Sequence, residues 1–177
     1  MAVKVPADRH FVKEWQTSEL LSSLDQVGGG RSFQNGKKAF EDAQCLACHR
    51  FGNDGGSTGP DLTAVSSRFT RRDILESILE PSKVISDQYQ NIIVGTKNGD
   101  DVIGRLVEES DKTLVLITNP LTGDKTDVRR RDVQSREPSK ISPMPEGLAN
   151  ICSKEDLLDM LAYIEAGGRK EHAAFTK

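Results

Sequence analysis

Cys45-Leu46-Ala47-Cys48-His49 is the stretch on which the reading of this chain turns. Cys-x-x-Cys-His is an attachment signature for c-type haem. Two thiols three residues apart share one helical turn, so each can add to one vinyl group on the same porphyrin edge. The following imidazole is then brought under the ring, where its nitrogen can bind iron. Two rival readings weaken on context. A thioredoxin-type redox pair calls for a preceding strand in a βαβ pattern, which does not occur here. Half a zinc site calls for two more ligands at short spacing. The remaining candidates, Cys152, His10 and His172, are scattered.

Working outward, Gly36-Lys37-Lys38-Ala39-Phe40 reads as helix just upstream of the motif, and residues 33–49 read as one motif helix. A glycine-rich loop follows, with Gly52, Gly55, Gly56 and Gly59, ending at Pro60-Asp61-Leu62; it reads as flexible. Ser142-Pro143-Met144-Pro145 lies far downstream, and an apolar helix from Leu157 to Ile164 closes the pattern. Met144 sits between two prolines, which no helix or strand interior tolerates. The prolines stiffen a loop and aim one thioether, making Met144 the candidate sixth iron ligand. Met160 lies on the apolar stripe of the last helix and reads as core. His10 and His172 are rival sixth ligands near the chain ends.

These features, in this order, resemble class I cytochrome c. The resemblance implies that the first helix crosses the last, with Gly36 and Phe40 at the crossing and Tyr163 or Leu161 facing them. It implies a mainly α cytochrome c fold, with His49 and Met144 on the iron of one covalently bound haem c. Pro60 would offer its carbonyl to the free N–H of His49, fixing the ring and raising its basicity. Three stretches, Phe11 to Trp15, Glu80 to Tyr89 and Pro138 to Leu148, are more closely similar to the C-terminal haem-binding domain of large secreted multidomain proteins of Planctomycetes and Verrucomicrobia. That likeness spans nearly all of the chain.

Composition sets the outer limits. In 177 residues, hydrophobic content is 36% and aromatic content 5%, a thin supply for one core. A buried porphyrin would add apolar area. The net charge of −3 gives no general electrostatic case for nucleic acid. Three cysteines, two of them in the motif, argue against a disulfide framework. Cys152 reads as a small buried residue before a helix. No run of eighteen apolar residues suggests a membrane span. Haem attachment of this type happens outside the cytoplasm, yet no signal peptide opens the chain. Met1-Ala2 therefore reads as an engineered start on a periplasmic or otherwise extracytoplasmic domain cut from a multidomain protein.

Residues 7–27 read as an amphipathic helix with Phe11, Trp15, Leu20, Leu21, Leu24 and Val27 as its stripe, and Gly28-Gly29-Gly30 as a hinge. Residues 1–31 thus form an N-terminal helix and hinge. Residues 32–87 with 139–177 form the haem domain. Between them, residues 88–138 change periodicity. Ile92-Ile93-Val94, Val102 to Val107, Leu114 to Thr118 and Thr126-Asp127-Val128 alternate like strands, with turns at Asn98-Gly99-Asp100 and Thr122-Gly123-Asp124. Four or five short strands suggest an antiparallel β module curled toward a barrel. His49 and Met144 lie 95 apart; without this 51-residue insert they would lie 44 apart, which suits a compact cytochrome.

The functional expectation is one-electron transfer, with a fused upstream dehydrogenase domain or a diffusing redox protein as partner and no catalytic residues of its own. The alternative is a haem-based sensor of gas or small ligands, in which Met144 is displaceable and the β insert is an interaction domain. Arg68, Arg71, Arg72 and Tyr89 are candidate contacts for haem propionates, with Arg68 and Tyr89 preferred because both flank apolar segments. Arg129-Arg130-Arg131 reads as a solvated strand face rather than a docking patch, because Asp124, Asp127 and Asp132 offset it.

Overall fold

The computed structural model describes residues 10–176. Chain contacts divide it into two compact units: residues 84–145, and the described residues on either side of that span.

The helical unit begins later than the sequence pattern suggests. Residues 10–16 are not helical, and the expected residues 7–9 lie outside the described residues. Helix α1 is one turn, Thr17–Leu20, followed by a 3-10 helix over Leu21–Gly28. Leu20 at the end of α1 and Val27 in the 3-10 helix lie fully inside the core, with Trp15 and Leu24 packed against it. Ser32 then caps α2, Phe33–Asp42, by accepting the Asn35 N–H at 3.2 Å. The motif helix is not continuous to residue 49. Gln44 takes a left-handed conformation (φ 60°) after α2, and the chain restarts as the single turn α3, Cys45–Cys48. A short hairpin follows, β1 (Arg50–Phe51) with β2 (Asp54–Gly55).

Helices α4, Arg71–Leu79, and α5, Lys154–Glu165, both start with capping boxes. Thr70 pairs reciprocally with Asp73, and Ser153 with Asp156. Gly167 and Gly168, with φ of 60° and 73°, end the run after α5.

Helices α2 and α5 cross at Gly36. A side chain there would overlap the Asp159 carbonyl oxygen, and its Cβ would lie 3.0 Å from the Tyr163 Cβ. Only hydrogen at that position lets the backbones approach so closely. Of the two residues offered as facing partners, Tyr163 is the one that meets Gly36, and its ring stands 5.6 Å from Phe40. Phe51 joins both, at 5.1 Å from Phe40 and 5.2 Å from Tyr163, so the scarce aromatic residues are concentrated here.

One polar residue sits inside this crossing. Asp159 is 6% exposed. Its carboxylate accepts the Ser32 N–H at 3.1 Å and the Asn35 amide at 2.9 Å, and Arg31 approaches at 3.5 Å. A carboxylate within an apolar helix stripe thus ties α5 to the first turn of α2, and these partners make its burial tolerable. Arg71 adds a second tie, donating two hydrogen bonds to Glu165 at 2.6 and 2.9 Å and a third to the Leu24 carbonyl at 3.3 Å.

The other unit is a five-stranded antiparallel sheet: β3 (Ile92–Thr96), β4 (Asp101–Glu109), β5 (Thr113–Asn119), β6 (Asp124–Arg129) and β7 (Val133–Pro138). Their spatial order is β6-β5-β4-β3-β7. Inward residues Val94, Leu114, Leu116 and Val128 form its own core. Strands β6 and β7 stand at opposite edges, yet only Arg130–Asp132 joins them. A flat sheet would separate those edges by about 19 Å, while a three-residue 3-10 turn advances roughly 6 Å. The sheet must therefore curl. Gly104 permits the bend, since a Cβ there would lie 2.5 Å from the Ile117 carbonyl oxygen.

The three arginines at that turn are paired as a solvated face would require. Arg129 and Arg131 reach Asp132 at 2.7 and 3.9 Å, and Arg130 reaches Glu109 at 2.9 Å. Helix occupies 36% and strand 22%, so the expectation of a mainly α chain with a small β module holds in part: the strand share is larger than mainly α implies. The strands bury a core of their own.

Replacing Gly36 by Ala should cost about 3 kcal/mol by overpacking, offset by about 1 kcal/mol of better helix propensity. Thermal unfolding should shift down by about 4–8 °C. Gly29→Ala, at an extended residue whose Cβ meets nothing within 4 Å, should leave the midpoint within about 1 °C of the parent.

Candidate haem site

Cys45 and Cys48 occupy the two ends of α3, one helical turn apart, and His49 leaves that turn in an extended conformation. All five motif residues are half-buried. The His49 N–H of the main chain donates back to the Cys45 carbonyl at 2.9 Å, which fixes where the imidazole departs.

The His49 ring is held from behind. Its Nδ1 lies 2.8 Å from the Pro60 carbonyl oxygen. A carbonyl can only accept, so Nδ1 carries the hydrogen and the Nε2 lone pair is the one available to a metal. Burial pushes the imidazolium down toward the neutral, metal-binding form, and the Pro60 hydrogen bond partly opposes that shift.

The glycine-rich loop is laced to the motif rather than flexible. Gly56 and Gly59 donate to the carbonyls of Leu46 and Cys48, each at 2.9 Å. Leu62 donates to the Arg50 carbonyl at 2.9 Å, and Gly52 to the Thr63 hydroxyl at 2.8 Å. A side chain at Gly55 would overlap the His49 carbonyl oxygen, and one at Gly59 would lie 2.9 Å from His49 Cε1. These glycines therefore serve close backbone approach, which wraps Pro60 around to the ring. Their spacing behind the motif was the available signal.

Two thiols on one turn and a neutral, backed imidazole form a donor set suited to haem c. No group of three or more His, Cys, Asp and Glu residues that could hold a metal ion occurs among the described residues. The sequence model of the cytochrome c family matches residues 33–115. The chain carries a cytochrome c domain. Its cofactor is haem c, bound covalently and containing iron. The match starts at the first residue of α2 and runs into β5, stopping short of Met144 and α5. No curated protein matches the chain. No helix among the described residues is long and apolar enough to cross a membrane.

The other candidate residues fall in different places. Met144 belongs to the 84–145 unit, half-buried in an irregular loop, with its N–H donating to the Ser142 hydroxyl at 3.1 Å. Tyr89 is in that unit too, where the Arg105 guanidinium stands 5.3 Å from its ring centroid. Arg68 is in the helical unit, exposed beside Phe69, and its charge helps hold the Asp61 carboxyl below its usual range, after the larger effect of the Thr63 hydrogen bonds. Arg71, engaged with Glu165, has its fork committed elsewhere. His172 caps the last 3-10 turn, its Nδ1 accepting the Ala174 N–H at 3.3 Å, and His10 is exposed. Met160 is fully buried in the helical core, and Cys152 is buried ahead of α5.

Gly59→Val should push the His49 ring off the Pro60 carbonyl. In the haem-loaded protein this should weaken histidine ligation and move the absorption spectrum and midpoint potential away from those of the parent. An unchanged spectrum and potential would show that the ring has room to adjust.

Proposed function

We propose that this cytochrome c domain is a one-electron carrier in which Cys45 and Cys48 would hold the haem and His49 and Met144 would bind its iron. The observation that carries this reading is the His49 ring, backed by Pro60 at 2.8 Å behind a Cys-x-x-Cys turn. Haem c supplies the redox chemistry when bound. The protein's part is to orient and hold a neutral imidazole, exclude water and supply a thioether. Met/His ligation raises the potential and favours the reduced state, which suits a relay. Soft sulfur matches ferrous iron, and Pro143 and Pro145 lower the conformational freedom that Met144 would lose on binding.

In this reading the domain performs no turnover. It passes electrons between a dehydrogenase, fused upstream or diffusing, and a further acceptor, outside the cytoplasm. The likeness to the C-terminal haem-binding domains of Planctomycetes and Verrucomicrobia supports that setting. Residues 1–31, 32–87 with 139–177, and 88–138 then correspond to an N-terminal segment, the haem domain and an inserted β module that ligates no iron. Arg68 and Tyr89 remain the proposed propionate contacts.

After acid–acetone extraction and denaturing electrophoresis, haem should stay with the polypeptide; haem in the organic phase defeats covalent attachment. Ferric protein should show the weak Met–iron band at the red end of the visible spectrum. Met144→Ala should abolish it, open the ferrous protein to carbon monoxide and lower the potential, while Met160→Leu should do none of these. Ready carbon monoxide binding by the parent at neutral pH would instead favour the sensor function.

A further inference from the structure

The segment ahead of α1 is pinned to a distant part of the chain. Val12 and Lys13 both donate their main-chain N–H groups to the Asn150 carbonyl, at 2.8 and 3.1 Å. The Trp15 indole donates to the Cys152 carbonyl at 2.9 Å, 137 residues away in sequence. The Trp15 ring packs against the helical core, and the Lys13 ammonium lies 4.8 Å from its centroid. Three donors thus converge on the 3-10 helix Leu148–Ile151 and the residue that ends it.

That 3-10 helix is the first regular structure after Met144. Asn150 follows Met144 by six residues, with Gly147 turning the chain at φ 80° between them. The stretch from Pro145 to Gly147 is irregular, so the downstream hold on the methionine loop comes from whatever fixes residues 148–152.

We propose that residues 12–15 are a strap that anchors the downstream end of the Met144 loop, with Trp15 a positioning residue for the axial thioether. This rests on the reading of Met144 as axial ligand. A ligand on a tethered loop competes with its own dissociated states, and their number grows when one end of the loop is loosened. Fixing that end raises the effective concentration of sulfur at iron without touching either atom. The strap donates to carbonyls, so its removal changes neither the thiols nor the imidazole.

The test uses the full-length, haem-loaded chain. Trp15→Phe keeps the ring and removes the indole donor; Val12→Pro removes one donor to Asn150. The double variant should exchange amide hydrogens faster over residues 146–152 and lose the Met–iron band at lower temperature than the parent. In the ferrous state it should bind carbon monoxide at least tenfold more tightly. Haem should stay attached, and Phe11→Ala, whose side chain is 71% exposed, should behave as the parent. Faster exchange with unchanged carbon monoxide affinity overturns the strap's role in ligation. Unchanged exchange overturns the anchoring itself. If Met144→Ala responds and the strap variants do not, the strap alone falls; if Met144→Ala leaves band and affinity intact, the axial assignment falls and takes the strap with it.

Discussion

Close approach of α2 and α5 at Gly36 is the constraint on which the helical unit depends. A hydrogen in place of a side chain lets the Asp159 carbonyl lie against α2. With the axes that near, Phe40, Phe51 and Tyr163 can meet around one point. Asp159 then reaches back to the capped first turn of α2, so the crossing is set by packing and by directed hydrogen bonds together. The motif turn hangs from the far end of α2, and its position follows from that crossing.

The site itself is organised by backbone. Pro60 holds the His49 ring through a carbonyl, and the loop that delivers Pro60 is attached to the motif by main-chain hydrogen bonds from Gly56 and Gly59. A backbone carbonyl survives every substitution and a backbone N–H is lost only to proline, which makes such a site tolerant of most side-chain change and sensitive to added bulk. The left-handed Gln44 belongs to the same logic. It ends one helix and aims the next turn, at the modest strain of a non-glycine residue in that region.

The β unit follows different rules. Its core is four buried side chains with a few partners, and its curl is imposed by a short link between edge strands. Charges on its surface pair locally around Glu109 and Asp132.

Local signals were legible in the chain alone. The spacing of Cys45, Cys48 and His49 marks a candidate haem site in the chain alone, and the fold keeps the three on one turn and its exit. The capping boxes at Thr70 and Ser153, and the turns at Gly99 and Gly123, were readable because the residues that make them are three or fewer apart. What remained hidden depends on partners far away in sequence. The 3-10 winding of Leu21–Gly28 answers to the core it must fill. The break at Gln44 carries no glycine to announce it. Asp159 looks misplaced in an apolar helix until Ser32 and Asn35, more than a hundred residues earlier, arrive to bond it. The attachment of residues 12–15 to Asn150 and Cys152 is invisible locally because the acceptors are main-chain carbonyls, which every residue possesses. Sequence determined which groups could act; tertiary packing alone decided which of them meet, since long-range pairing is selected by the summed burial and hydrogen bonding of the whole unit rather than by any short stretch.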